Sequence, residues 1–86
     1  MRYSTSKKFE KQFSKLSISI RGMAIVRLKI FIEDPFEPIL SNHPLKGGLS
    51  DCRSINITAD IRAIYKVVQK DIAYFIAIGS HSILYK

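Results

Sequence analysis

Apolar residues recur at helical spacing through the first third of the chain and in short strand-like runs through the last third. Between them lies a stretch that follows neither period. Phe9, Phe13 and Leu16 fall at i, i+4 and i+7, while Lys7, Lys8, Lys11 and Lys15 take the other sides of the same helix. Ser6 stands where an N-cap is needed, because its hydroxyl can accept from a first-turn amide that has no helical partner. The residues before it, Arg2 to Thr5, suit a short strand. After Ser17-Ile18-Ser19, a second helix is predicted by Ala24, Leu28 and Phe31 at i, i+4 and i+7, with Ile25, Ile30 and Ile32 widening its apolar stripe. Asp34-Pro35 ends it, since the proline ring pushes the preceding residue out of the helical region.

From Pro35 to Asp51, three prolines and the Gly47-Gly48 pair interrupt every period, and the expectation is a long connector. Connectors of this length without regular structure are uncommon and often functional. Beyond it, Cys52 to Ile57, Ile61 to Val68 and Ile72 to Ile78 are rich in Ile, Val, Tyr and Phe. They are separated by Thr58-Ala59-Asp60 and Gln69-Lys70-Asp71, which predicts three antiparallel strands joined by tight turns. Ser82 to Tyr85 is expected to close the chain as a fourth short strand. The fold class is therefore α+β: two N-terminal helices packed on one face of a small, mainly antiparallel β-sheet, as a single domain over residues 1–86. The opposite sheet face is left free to bind.

Composition narrows the class of partner. The chain has 86 residues, 47% of them hydrophobic and 24% charged, which suits one thin globular core and argues against intrinsic disorder. Fourteen Lys and Arg against seven Asp and Glu leave a net charge of +7, a field that attracts polyanions. Nucleic acid is the leading partner class. The single cysteine, Cys52, has no intramolecular disulfide partner and sits beside strand-like apolar sequence, so it reads as a small buried hydrophobe in a reduced compartment. One Cys and two distant His do not match zinc-ligand spacing. No apolar run reaches signal-peptide or transmembrane length, and the expectation is a mature cytoplasmic protein without a membrane partner.

The chemistry-bearing residues cluster within the apolar second half. The two histidines occupy short polar islands, Asn42-His43-Pro44-Leu45-Lys46-Gly47 and Gly79-Ser80-His81-Ser82, with Asp60-Ile61-Arg62 between them. Alternation sets Asp60, Arg62, Ile64 and Lys66 on one face of their strand and Ile61, Ala63, Tyr65 and Val67 on the other. A hairpin at Gln69 to Asp71 returns the next strand antiparallel, so its end lies beside the start of this one. His81 is then expected within side-chain reach of Asp60 and Arg62. Two imidazoles able to move protons near neutral pH, a carboxylate and a guanidinium on a basic surface are suited to cleaving a phosphodiester.

In order along the chain, His43-Pro44-Leu45-Lys46-Gly47, Cys52-Arg53-Ser54-Ile55, Asp60-Ile61-Arg62-Ala63-Ile64-Tyr65-Lys66 and Ile78-Gly79-Ser80-His81-Ser82-Ile83-Leu84-Tyr85 resemble the RelE superfamily of bacterial toxins. They resemble most its YafQ branch, in which a His-Pro-Leu-x-Gly loop is paired with a late Gly-Ser/Thr-His element. The resemblance covers essentially the whole chain. It implies an mRNA interferase that cleaves messenger RNA, typically on the ribosome, and is held inactive by a cognate antitoxin. His43, Asp60, His81 and Tyr85 match that pattern, and Arg53 and Arg62 match basic strand positions of the wider superfamily. Two positions depart from it: Asn56 stands where YafQ-like proteins can carry a histidine, and Ile61 stands where an aromatic can follow the aspartate.

The roles implied are those of a metal-independent ribonuclease that uses the RNA 2′-OH. His43 and His81 divide the acid and base roles, with Asp60 either orienting an imidazole or transferring a proton itself. Arg62 stabilises charge on the scissile phosphate, a task a bidentate guanidinium fits better than an ammonium. Lys46 and Arg53 hold neighbouring phosphates and Tyr85 stacks on a base. A rival of the same fold is a ParE-like toxin that binds DNA gyrase without cutting RNA, and a third reading is a degenerate homologue that only binds antitoxin. The set of His43, Asp60 and His81 favours the nuclease, because a pure binder needs no acid and base.

Overall fold

The computed structural model describes residues 1–85. In chain order these form β1 (Arg2–Thr5), α1 (Lys7–Ser14), α2 (Ile18–Glu33), a 3₁₀ turn at Pro38–Leu40, β2 (His43–Pro44), a second 3₁₀ turn at Gly47–Leu49, β3 (Arg53–Asn56), β4 (Ile61–Gln69), β5 (Ile72–Ser80) and α3 (His81–Leu84). The strands make one five-stranded sheet in the order β1-β5-β4-β3-β2. Only β1 pairs parallel, with β5; the other pairs are antiparallel.

Both long helices start at serines. Ser6 accepts from Phe9 N (2.9 Å) and Ser17 from Ile20 N (3.2 Å), each satisfying a first-turn amide. Phe9 is buried, and Phe13 and Leu16 pack against the same core. From α2, Ala24, Leu28 and Phe31 are buried, the three residues its apolar spacing singles out. Ile25 and Ile32 do not widen that stripe: they are 48% and 39% exposed, because the sheet offers α2 only one side. Asp34 leaves the helix in an extended conformation while its amide still donates to Ile30 O.

The core lies between the helices and one sheet face, where Ile55, Ile57, Ile61, Ala63, Tyr65, Ala73, Phe75 and Ile78 meet Phe9 and Phe31. Phe75 and Ile78 share that face although three residues apart. A register shift makes this possible, since Ile64 pairs with Ala77 and Tyr65 with Phe75, leaving Ile76 as a bulge. β1 covers β5 only as far as Phe75. Beyond it, α1 serves the exposed edge: Ser6 Oγ donates to Ile76 O (2.9 Å) and Gln12 Oε1 accepts from Ile78 N (2.9 Å). These side chains replace a ladder that β1 is too short to supply.

Two further expectations are corrected. Residues 35–51 are not without regular structure: they carry two 3₁₀ turns and β2, which adds a strand outside β3. Ser82 to Tyr85 is not a strand. The sheet neighbours of β5 are already in place, β4 on one side and β1 with α1 on the other. The chain therefore turns at Ser80, which has an extended backbone, into α3.

Candidate functional site

The sheet face away from α1 and α2 carries Asn56, Arg62 and Gly79 in one row across β3, β4 and β5. Ser54, Ile64 and Ala77 form the next row, with His43 of β2 opposite Ser54. Arg62 is half-buried and its Nη1 donates to Asn56 Oδ1. The last β4–β5 pair is Ile61 with Ser80, so the residues one step further, Asp60 and His81, leave the sheet side by side. Asp60 thus lies in the turn before β4 rather than on the strand. The turn is tied by Thr58, whose Oγ1 accepts from Asp60 N (3.2 Å) and Ile61 N (2.9 Å), and the exposed Asp60 carboxylate is not used to close it.

At the other side of this corner, α3 brings His81 and Tyr85 onto one side of the chain, i and i+4. Their ring centroids are 4.6 Å apart with a 45° tilt, and Tyr85 N donates to His81 O (3.0 Å). A strand would have set those rings about 13 Å apart. α3 folds against β5, so that a Cβ at Gly79 would touch Ile83 at 3.5 Å.

His43 and Lys46 belong to a different part of the surface. His43 is exposed on the edge strand β2, and its Nδ1 lies 2.8 Å from Ser41 O, which leaves Nε2 facing outward. Between His43 and His81 stand β3 and β4; three strand spacings put β2 and β5 roughly 14 Å apart. Lys46 is exposed just before the second 3₁₀ turn, where Gly47 has a φ of +67°, a conformation L side chains rarely adopt. Arg53 lies on the helix side of the sheet, away from Arg62. Its Nε donates to Asn42 Oδ1 (2.7 Å) and its guanidinium carbon stands 5.2 Å from the Phe36 ring centroid. Alternation with Ile55 and Ile57 carries that signal in the sequence.

Three residues that shape this surface were not picked out by sequence reasoning. Asn42 bonds Arg53 through Oδ1 and donates from Nδ2 to Pro35 O (2.8 Å) and Tyr65 Oη (2.7 Å), which anchors the segment leading into His43. Arg27 of α2 donates from Nη1 to Ile39 O and Asn56 O, both at 3.0 Å. Asn56, read from sequence as a departure, holds Arg62. Cys52 is buried as expected. Burial, then the bond to Asp51 Oδ1 (3.4 Å) and that carboxylate's charge, push its thiol pKa above the ordinary 9.0, with Lys66 opposing. Among the described residues, no three His, Cys, Asp or Glu side chains gather where a metal ion could be held, and no helix is long and apolar enough to cross a membrane.

The whole architecture has solved counterparts. The crystal structure of YafQ from E. coli strain BL21(DE3) superposes with a TM-score of 0.83 at 19% identity, covering 100% of each chain. The solution structure of HP0894 from Helicobacter pylori superposes with a TM-score of 0.75 at 27% identity over 99% of each chain. A chain of the E. coli DinJ-YafQ complex superposes with a TM-score of 0.72 at 21% identity over 100% of each chain. No curated protein sequence matches the chain. The family model described as the bacterial toxin of type II toxin-antitoxin system, YafQ, matches residues 1–86, and the chain belongs to that family of toxins.

Proposed function

We propose that this toxin is an mRNA interferase: an endoribonuclease that cleaves messenger RNA on the ribosome using the RNA's own 2′-OH. The observation that supports this best is the strand register, which pairs Arg62 with Gly79 and Ile61 with Ser80 and so sets Asp60 and His81 at the same corner of the sheet, where β4 begins and β5 ends. Arg62 binds the non-bridging oxygens of the scissile phosphate and stabilises the charge of the phosphorane. Because β3 and β4 separate His43 from His81, the proton transfers at the scissile bond fall to His81 and Asp60. One takes the 2′-OH proton as the P–O2′ bond forms; the other protonates the 5′-oxygen as the P–O5′ bond breaks. The products are a 2′,3′-cyclic phosphate and a 5′-OH. His43 meets the RNA strand where it crosses β2, Lys46 pairs with a flanking phosphate, and Tyr85 offers a stacking surface beside the His81 ring. Arg53, engaged with Asn42 and Phe36, serves the His43 loop rather than the RNA.

The second partner is a cognate antitoxin, in the way that DinJ is found with YafQ. A net charge of +7 calls for an acidic segment, which competes with RNA for the same charges. Its apolar residues meet α2, where Ile18, Ile25 and Val26 are exposed. Inducing the wild type and His81→Ala side by side, then mapping the 5′ ends of messenger RNA, tests the nuclease. Growth arrest with new in-frame ends for the wild type alone is the expected result. Arrest by both forms with intact messages would sink it and redirect the search to a bound target such as gyrase.

A further inference from the structure

We propose that Asn56 is a positioning residue that sets the Arg62 guanidinium for the scissile phosphate. The inference rests on the nuclease reading. Asn56 and Arg62 are cross-strand partners on β3 and β4, and Asn56 Oδ1 accepts from Arg62 Nη1. That contact takes one of the five N–H donors of a planar fork and leaves four for an anion. On the other side of Arg62 in the same row stands Gly79, whose missing side chain makes room for Ile83 of α3 and supplies no second acceptor to compete with Asn56 for the guanidinium. Asn56 is itself held: Arg27 reaches from α2 to its carbonyl oxygen at 3.0 Å, and the same Nη1 bonds Ile39 O. The helix layer thus fixes the strand end from behind, and the carboxamide fixes the guanidinium in front. An arginine free to sample its rotamers would have to be ordered at each turnover; this one is ordered beforehand. Asn56 reaches no proton of the substrate and acts only through Arg62.

A double-mutant cycle on the full-length toxin, cleaving message on purified ribosomes, tests this. Asn56→Ala is expected to lower kcat about tenfold, with KM changed less than twofold, because the ordered guanidinium matters most in the transition state. Asn56→Ala/Arg62→Ala should be no slower than Arg62→Ala alone, since a residue acting through Arg62 has nothing to act on once Arg62 is gone. In parallel, NMR of the Arg62 side-chain N–H groups should show an ordered guanidinium in wild type and Asn56→Asp, which keeps the acceptor oxygen, and a mobile one in Asn56→Ala. Effects that add in the cycle, or an Arg62 side chain equally ordered in Asn56→Ala, overturn the proposal while leaving the nuclease standing. A wild type that leaves every message intact overturns both.

Discussion

Asn42 carries no periodic or motif signal, yet its three hydrogen bonds join Pro35, Arg53 and the hydroxyl of the buried Tyr65. It sits beside His43, the residue that a motif does single out, and ties down the backbone that leads into that histidine. The contrast is physical. A histidine, an aspartate or an arginine advertises its chemistry wherever it stands, whereas an amide matters only through partners that the fold brings to it. Cys52 is the opposite case, legible from its apolar neighbours alone. Its raised pKa means that the folded state favours the neutral thiol. The resulting stability is complete below the ordinary thiol pKa and is lost as pH rises through the higher, folded value. The urea midpoint of wild type should therefore fall more steeply than that of Cys52→Ala, which lacks the titrating group, as pH rises past the ordinary thiol pKa. Parallel curves for the two proteins would show that the thiol does not couple to folding. Wild-type thiol should also react with a disulfide reagent far more slowly folded than in denaturant.

Elements differ in how much of their boundary is local. α1 and α2 begin at Ser6 and Ser17 and bury Phe9, Ala24, Leu28 and Phe31, and all of this follows from capping chemistry and a 3.6-residue period. The far end of β5 is decided from outside. Ser6 does double duty there, capping α1 with its oxygen and donating its proton to the bulge carbonyl of Ile76. Ser6→Ala loses both contacts and should destabilise the protein by about 2 kcal/mol. Ser6→Asp keeps an acceptor for the cap but cannot donate at neutral pH, so it should recover about half of that loss. Urea denaturation of the three proteins reads the difference; an aspartate variant as unstable as the alanine one would mean that the cap contributes nothing. α3 owes its place to the same corner. Its sequence, His81 to Leu84, is compatible with a strand, and only the covered edges of β5 turn it into the helix that sets the His81 and Tyr85 rings together.

At the scale of the whole molecule, charge and topology together make the surface. The strand register places Arg62, with Lys66 further along β4, on the sheet face away from α1 and α2, and Lys46 stands apart from them on the segment after β2. If these three meet RNA phosphates, the logarithm of the binding constant for a 2′-deoxy-substituted, uncleavable RNA should fall with the logarithm of salt at a slope near −2, about −0.7 per contact. Fluorescence anisotropy from 50 to about 300 mM salt checks this. A slope near zero would remove these cations from the interface, and Arg53→Ala should leave the slope unchanged. The sequence by itself determined the α+β class, β1, both long helices, most of the core and the β4–β5 hairpin that sets Asp60 and His81 at one corner of the sheet, because side-chain period, caps and hairpin turns act over a few residues. It also carried the family pattern over the full chain. Only the tertiary structure decided that α3 is a helix, that Arg53 turns to Asn42, that His43 stands across β3 and β4 from His81, and that Asn56 holds Arg62. Each of these depends on which backbone edges and side chains remain unpartnered once distant segments have packed, and no local preference encodes that.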